Sequence, residues 1–326
     1  MKVSVVIPAY NASRTIDTAI QSVLAQTVAP GEILVLDDGS SDDTCLRLES
    51  YQSKVTVFRQ SNHGAAHARN HLIQKTSGEM VAFLDADDIW HPQYIETQLW
   101  LLKKCPDAVA SFTGHVNFRG TGSYSWVTIQ NSSQRDFEVI DPVAFLEQYN
   151  RCPGPFGSMS FCCIPKRVLA QIGDEPFPVR VTGAEDFCLM NMLPCYGPVV
   201  RTESVLAAYR ETPGSLSSNR LEISGMAVKA FEFLANDNRT LCGQKGGKIF
   251  KAAFASKRRN YAKFLLGAGR VSEARMQLKF SLANGGGILS LAKSLGLLLS
   301  TYLPTPCQPG WPPRDREQPV FQEQKQ

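Results

Sequence analysis

The stretch MVAFLDADDIW, residues 80–90, determines how the rest of the chain is interpreted. Its apolar half, Met80 to Leu84, is typical of a strand buried in a parallel sheet, and three carboxylates follow within four residues. Open α/β sheets bind ligands at the carboxyl ends of their strands. Asp85 and Asp87 can therefore converge on one hard cation that would neutralise a diphosphate. The same residues also fit an acidic helix start capped by Asp88.

Alternating strands and helices predict an α/β fold with a mostly parallel central sheet flanked by helices. The predicted strands are 2–7, 32–36, 55–58 and 80–84, and the predicted helices run over 13–25, from 41, over 65–74 and over 92–103. Ser13 and Ser41 are the predicted helix caps. The first, second and fourth strands end in polar residues. If these strands are neighbours in the sheet, their ends form one crevice. Beyond residue 107 we expect extended segments at 108–118, 123–139, 158–164, 198–201 and 205–210, with helices at 141–149 and 185–193.

Composition indicates an ordinary globular protein. The 326 residues suffice for one large α/β domain and a smaller appendage, and 43% are hydrophobic. The nine cysteines form no C-x-x-C pair, which favours reduced thiols and a cytoplasmic location. The first strand begins at Lys2 and leaves no room for a signal peptide.

Charge is distributed unevenly along the chain. Residues 245–293 contain eleven Lys or Arg and a single acid, Glu273, whereas residues 1–244 carry a net charge of −6. An apolar run at 288–303 follows; as a helix it would be about 24 Å long, too short to span a bilayer core of roughly 30 Å. These features predict contact with an anionic membrane surface and no nucleic-acid partner. The alternative of a helix buried against the domain stays open.

Three motifs in fixed order reveal a family resemblance: VVIPAYN at 5–11, LDDGSSD at 36–42 and FLDADD at 83–88. Together with NHG at 62–64 and ARN at 68–70, they resemble the family 2 glycosyltransferases, enzymes with a GT-A fold that mostly use nucleotide-diphosphate sugars. The resemblance covers residues 3–217. We expect a GT-A catalytic domain at 1–218, a basic helical extension at 219–304 and a disordered tail at 305–326.

The resemblance implies a set of donor-binding residues. Asp38 looks like the aspartate that accepts a hydrogen bond from the base, usually uracil. Pro8, Ala9 and Tyr10 would line the base pocket, and Arg69 would face the nucleotide. From the residues alone, the alternative for Asp38 is a helix-capping turn, and the alternative for Arg69 is a surface arginine.

Metal-binding and catalytic residues are also implied. Asp85 would contact ribose or metal, Ala86 would contact the substrate, and Asp87 would ligate Mg²⁺ or Mn²⁺. In GAED at 183–186 the second acid, Asp186, would be the base of an inverting reaction, and Glu185 would orient it or the acceptor. The alternative for this acidic pair is a charged helix N-terminus.

The expected function is that of an inverting, metal-dependent glycosyltransferase. It would move a sugar from a nucleotide-diphosphate donor, a UDP-sugar, to a hydroxyl of a glycan or lipid-linked acceptor, at the cytoplasmic face of a membrane. Contacts with the acceptor would come from residues 157–161, Glu185 and residues 211–218. One departure from the family is Thr212, which stands where many relatives carry a histidine. The alternatives are a D-x-D phosphatase or phosphotransferase and an inactive nucleotide-sugar-binding module. A phosphatase would need Thr or Val soon after the second acid, where Asp88 stands.

Overall fold

The computed structural model of the chain describes residues 1–126, 136–212, 219–237, 243–284 and 288–302. The chain divides into two compact units, of which the first is Met1–Thr212 and the second begins at Pro213. Three predictions fall outside the described residues: the domain boundary at residue 218, the tail at 305–326, and residues 127–135 of the predicted extended segment.

The first unit contains nine strands and seven α-helices among its described residues. The strands are β1 (Val3–Ala9), β2 (Glu32–Asp37), β3 (Thr56–Arg59), β4 (Met80–Phe83), β5 (Ile89–Trp90), β6 (Ala110–Phe118), β7 (Glu138–Ile140), β8 (Cys162–Pro165) and β9 (Val199–Arg210). The helices are α1 (Ile16–Leu24), α2 (Thr44–Glu49), α3 (Ala65–Lys75), α4 (Tyr94–Lys104), α5 (Pro142–Arg151), α6 (Lys166–Ile172) and α7 (Glu185–Met192).

All nine strands form one mixed sheet in the order β3-β2-β1-β4-β8-β6-β9-β5, with β7 paired to β9. The first four strands are parallel, as the alternating pattern predicts. β8 runs antiparallel to β4 and to β6, so the parallel part ends beside the strand that carries the carboxylates. Because β2, β1 and β4 are neighbours, their carboxyl ends do lie side by side.

Apolar side chains on both faces hold this sheet in place. β4 is buried along its whole length, and Val5 and Ile7 of β1 are also buried. Ile16 and Ile20 of α1 lie in the same cluster, so the α1 helix packs its apolar stripe on the sheet. The covered strands leave only their ends open to ligands.

Several local predictions are wrong. Ser13 and Ser41 do not cap helices: α1 is preceded by Thr15 and α2 by Asp43. Asp42 instead joins the two loops, since it accepts hydrogen bonds from the backbone N–H groups of Ser13 (3.1 Å) and Thr44 (3.0 Å).

Longer-range pairing also changes the expected strands. The two short strands expected at 198–201 and 205–210 are one strand, β9, which runs parallel to β6 with a register shift at Gly114. In the segment 158–164 the strand begins only at Cys162, after a 3₁₀ turn at Met159–Phe161. The α6 helix was not predicted.

The described part of the second unit is helical, which confirms the predicted C-terminal helices. It contains α8 (Arg220–Ala235), α9 (Gly243–Gly267), α10 (Val271–Asn284) and α11 (Ile288–Ser300). Ala262, Leu265, Ala274 and Leu278 form a small buried core between α9 and α10. Among the described residues, no helix combines the length and the apolar character needed to cross a membrane.

Candidate active site

Asp38 fixes the loop at the carboxyl end of β2. It is almost fully buried; its Oδ1 accepts hydrogen bonds from Gln60 Nε2 (2.8 Å) and the His63 backbone N–H (3.0 Å), and its Oδ2 accepts one from the Gly64 N–H (2.8 Å). Its own N–H donates to the Ala9 carbonyl at 2.8 Å. Asp38 therefore holds residues 60–64 beside the end of β1, and its contact with a base stays a prediction.

The three residues predicted to line the base pocket follow one another at the end of β1. Ala9 is buried and Pro8 is partly buried, whereas the side chain of Tyr10 is half exposed. Next along the chain, Asn11 adopts a positive φ of 49° and its side-chain Oδ1 accepts from the Ser41 N–H at 2.9 Å. The strand end thus presents one accessible aromatic ring beside the loop that Asp38 holds.

The Arg69 side chain joins two separate acidic segments. Its Nη2 donates to Asp85 Oδ1 at 2.6 Å, and its Nη1 donates to Glu185 Oε1 at 3.0 Å. Burial by itself lowers the pKa of Arg69, but Asp85 and Glu185 outweigh burial and raise it. The side chains of Arg69 and Glu185 are each 9% exposed, so their ion pair is shielded from solvent, whereas Asp85 is 27% exposed. Arg69 therefore fixes the end of β4 against the start of α7.

The D-x-D residues lie directly after β4. The Asp85 N–H donates to Ser160 Oγ at 3.0 Å, and Ser158 Oγ lies 3.4 Å from Asp85 Oδ2. Burial, and after it the neighbouring Asp85, raises the pKa of Asp87 to about 6. Ala86, between the two acids, is buried. Two carboxylates are thus held together although their charges repel each other.

Asp88 has a structural position. It is fully buried, and its Oδ1 accepts from the Arg210 N–H at 2.9 Å, which ties it to β9. Burial and the neighbouring Asp87 and Asp85 raise its pKa well above the usual range. The alternative in which Asp88 caps the next helix is wrong, because α4 begins at Tyr94 and is preceded by Gln93.

The α7 helix begins with the second acidic pair. Gly183, with a φ of 76°, turns the chain just before it. Glu185 is buried and bound to Arg69, whereas Asp186 is only partly buried, and its Oδ1 accepts from the Phe187 N–H at 2.6 Å. Burial and then the charge of Glu185 raise the pKa of Asp186 to about 6, although Arg69 acts in the opposite direction. A carboxylate with that pKa can take up a proton near neutral pH.

Comparison with known proteins identifies the family. Residues 4–171, slightly more than half of the chain, match the family described as Glycosyl transferase family 2. The chain belongs to glycosyl transferase family 2. A relative in Escherichia coli, UDP-Glc:alpha-D-GlcNAc-diphosphoundecaprenol beta-1,3-glucosyltransferase, is 44% identical over 104 residues, a match that covers 31% of this chain and 41% of that relative. This family 2 chain thus matches less than half the length of that relative.

Solved structures confirm the predicted GT-A fold. The S. aureus TarS fragment 1–349 in complex with UDP-GlcNAc superimposes with a TM-score of 0.66 at 16% identity, covering 93% of this chain and 89% of that one. The mannosyltransferase PcManGT from Pyrobaculum calidifontis, in complex with GDP-Man and Mn²⁺, gives 0.57 at 19% identity, with coverage of 92% and 81%. At such low identity the likeness shows the fold alone.

Three side chains that contact the D-x-D residues were not predicted to do so. Ser158 and Ser160 contact Asp85, and the Arg210 Nε donates to the Asp87 carbonyl at 2.6 Å. The segment 157–161 was expected to contact the acceptor, not the D-x-D residues. The serine contacts arise because β8 pairs antiparallel with β4, and no local pattern signals that pairing.

The D-x-D residues fit a divalent cation. Among the described residues, no three His, Cys, Asp or Glu side chains are grouped to hold a metal ion. Mg²⁺, however, is usually bound by one or two carboxylates together with substrate phosphates and water. Asp85 and Asp87 supply that kind of oxygen donor, and a cation would offset both the burial and the Asp85 charge that raise the pKa of Asp87. Their assignment as metal ligands stays a prediction.

Proposed function

We propose that residues 1–218 form an inverting, metal-dependent glycosyltransferase domain that moves a sugar from a UDP-sugar to an acceptor hydroxyl. The observation that carries this proposal is the buried guanidinium of Arg69, which donates to both Asp85 and Glu185. It places the D-x-D acids, predicted to bind the donor, close to Asp186, the predicted base. Acids that hold a cation at the donor diphosphate and a base that faces the acceptor are the two parts that the proposed transfer requires.

The donor would bind along the ends of β2, β1 and β4. Asp38 and the loop at 60–64 would receive the base, and Tyr10 would stack on it. Two comparisons support a UDP-sugar donor: the Escherichia coli relative is named for UDP-Glc, and the TarS fragment was solved with UDP-GlcNAc. Arg69 would stabilise the nucleotide site through its ion pairs, because its two bonded nitrogens are already engaged by acids.

Asp85 and Asp87 would hold Mg²⁺ or Mn²⁺ at the diphosphate. The cation would neutralise negative charge that develops on the departing nucleoside diphosphate. The mannosyltransferase PcManGT was solved with Mn²⁺, which supports a divalent cation. The chain's own contribution is to hold both carboxylates at one strand end, through the Ser160 and Arg69 contacts of Asp85.

Asp186 would act as the general base. Its carboxylate would take the proton of the acceptor hydroxyl while that oxygen bonds to the anomeric carbon and the bond from this carbon to the diphosphate breaks. This single displacement inverts the anomeric configuration. A pKa of about 6 leaves Asp186 ionised at neutral pH and still basic enough to accept a proton. Glu185, paired with Arg69, would orient the start of α7.

The acceptor would be a sugar hydroxyl of a glycan or of a lipid-linked sugar diphosphate, as in assembly of cell-envelope polysaccharide. This part rests on the name of the Escherichia coli relative, which acts on a diphosphoundecaprenol-linked GlcNAc. Such an acceptor would bring the enzyme to the cytoplasmic face of a membrane. Of the segments expected to contact the acceptor, 157–161 is near Asp85, whereas residues 213–218 lie outside the described part.

A donor panel tests this function. The full-length protein is incubated with UDP-sugars, a short lipid carrying a sugar diphosphate, and Mn²⁺, and the product is isolated for NMR. We expect transfer with one donor, loss of transfer in EDTA and in Asp186→Asn, and an inverted anomeric configuration. A retained configuration would exclude the single displacement. Nucleotide-sugar binding without transfer to any acceptor would favour the inactive binding module, and phosphate release from simple phosphoesters would favour the phosphatase.

A further inference from the structure

The α11 helix turns polar side chains inward and four of its leucines outward, while Leu297 and Leu298 pack against the core of the unit. Ser294 is fully buried and Thr301, just beyond the helix, is nearly so. In contrast, Leu289 is 78% exposed, Leu295 47% and Leu299 58%. An amphipathic helix on a globular protein normally shows the opposite arrangement. Leu289, Ala292, Gly296 and Leu299 follow one another at spacings of three, four and three residues, and Leu295 lies beside Leu299. The exposed side of the helix is therefore one apolar face, which we call the leucine face (Leu289, Leu295 and Leu299).

Hydrogen bonds fix this orientation from the inner side. Arg259 Nη1 donates to Ser290 Oγ (3.0 Å) and Ser294 Oγ (3.3 Å), and the Oγ atoms of Ser294 and Ser281 lie 2.9 Å apart. At the end of the helix, the Nη2 of Arg275 donates to the Thr301 carbonyl at 2.7 Å. A rotation that buried the exposed leucines would break all these bonds and leave buried polar groups without hydrogen-bond partners. The outward leucines therefore belong to the folded arrangement of this unit.

Lys293 lies beside the leucine face, where it is exposed on a helix that carries no acid. Two further cations lie near it: burial, and after it the charges of Arg259 and Lys293, lowers the pKa of Lys263. Glu273 is the only acid between residues 245 and 293, and it is already paired with Arg270 at 2.6 Å.

We propose that α11 lies in the headgroup region of an anionic phospholipid bilayer, with the leucine face inserted and Lys293 beside the lipid phosphates. The helix has 13 residues and is about 20 Å long, so it lies along the surface. Charge complementarity favours a lipid surface over a second copy of the chain, because a two-fold contact through this face would bring like charges together. The proposal deepens the proposed function by naming the element that brings the enzyme to a lipid-linked acceptor.

Vesicle flotation of the full-length protein tests the proposal. Phosphatidylglycerol vesicles are compared with neutral phosphatidylcholine vesicles, without nucleotide sugar, at low and high salt. We expect flotation with the anionic vesicles, weakened by salt because screening reduces charge attraction. The double variant Leu295→Gln/Leu299→Gln should weaken the partition about tenfold or more, since it removes roughly one leucine's worth of exposed surface. Lys293→Gln should weaken it about fivefold.

Met276→Gln on α10 is the matched control. Met276 is 63% exposed, like the leucines, but lies on another helix, so its replacement should leave flotation unchanged. Circular dichroism spectra and melting curves that match the wild type show that each variant is folded. Equal loss in Met276→Gln and the leucine variant, equal flotation with neutral vesicles, or no flotation would overturn the proposal. A wild-type dimer that the leucine variant converts to a monomer, without flotation, would assign the leucine face to a second copy.

Vesicle flotation and sugar transfer are independent assays, so each can be lost while the other remains. Flotation needs no donor or acceptor, and transfer to a short-chain acceptor in solution needs no vesicle. Loss of flotation with intact transfer would refute the role of α11 alone, whereas flotation of a protein that transfers no sugar would refute the proposed reaction alone.

Discussion

Replacing Arg69 by methionine should destabilise the first unit strongly, because the substitution removes the buried partner of two acids. Arg69 is 9% exposed, and it pairs with Asp85 at 2.6 Å and with Glu185 at 3.0 Å. Breaking a buried ion pair by removing one partner costs about 3–5 kcal/mol, since the remaining charge stays buried and unpaired. We expect the free energy of unfolding to fall by about that amount at pH 7.

Arg47→Met is the matched control. Arg47 also pairs with an aspartate at 2.6 Å, but its side chain is 47% exposed. Exposed pairs typically contribute about 0–1 kcal/mol, so the control should lose little stability. Urea unfolding followed by tryptophan fluorescence measures both variants, because three of the four tryptophans lie within residues 1–212. Equal losses in the two variants would refute the view that burial makes the Arg69 pairs strong.

The pH dependence of the Arg69→Met deficit provides a second check. Arg69 lowers the pKa of Asp87 and of Asp186, and each pKa is nevertheless about 6. In the wild type these carboxyls already bind protons more tightly in the folded state than in the unfolded state, where their pKa is about 4, and without the guanidinium their folded pKa would rise further. Stability relative to the wild type must then fall as pH rises above about 6, where the wild-type carboxyls have lost their protons and those of the variant have not. A deficit that is the same at pH 5 and pH 8 would show that lost packing causes it.

Three further predictions concern other residues of the first unit. Asp87→Asn should abolish transfer and should stabilise the fold by about 1–3 kcal/mol at pH 7 but not at pH 4. The raised pKa of Asp87 means that its charged carboxylate destabilises the folded state above pH 6. A variant that melts at the same temperature as the wild type at both pH values would contradict this. Asp186→Asn should slow transfer by about 10²–10⁴-fold and leave the affinity for UDP unchanged. In the wild type the transfer rate should decline below pH 6, where Asp186 takes up a proton. A transfer rate that does not change with pH would count against Asp186 as the base. Gly39→Ala should cost about 1–3 kcal/mol in urea unfolding, because Gly39 has a φ of 74° and a Cβ would lie 2.7 Å from the Asn62 backbone nitrogen. Gly64→Ala, at a φ of 88° with open space around it, is the control and should cost less.

Local sequence pattern accounts for the parallel half of the sheet. The runs that became β1, β2 and β4 are apolar because both faces of these strands are buried, and each ends where polar residues meet the strand-end crevice. Parallel strands put their carboxyl ends at one edge of the sheet, which is why Asp38, Asp85 and Asp87 could be assigned to that edge from the sequence. The neighbouring order of β2, β1 and β4 was a condition of the predicted crevice, and the sheet meets that condition.

Contacts between distant parts of the chain could not be predicted in the same way. Arg69 and Glu185 are separated by 116 positions, and only the folded chain shows that the arginine lies between two acids. β8 pairs antiparallel with β4, and this pairing brings Ser160 to Asp85. It depends on the register between two distant strands and not on the composition of either.

The orientation of α11 could not be predicted from the sequence either. A polar stripe at Ser290, Ser294 and Thr301 normally faces water, and here it faces inward because Arg259 and Arg275 supply partners from other helices. The apolar run at 288–303 by itself left a membrane surface and burial as equal alternatives.

Calorimetric titration of UDP into the full-length protein tests the central claim most directly. With Mn²⁺ present we predict saturable binding at one site per chain, weakened when EDTA replaces Mn²⁺ and weakened further in Asp38→Ala, which also loses the carboxylate that holds residues 60–64. If neither UDP nor any other nucleoside diphosphate binds in the presence of Mn²⁺ or Mg²⁺, the strand-end crevice is not a nucleotide-sugar site.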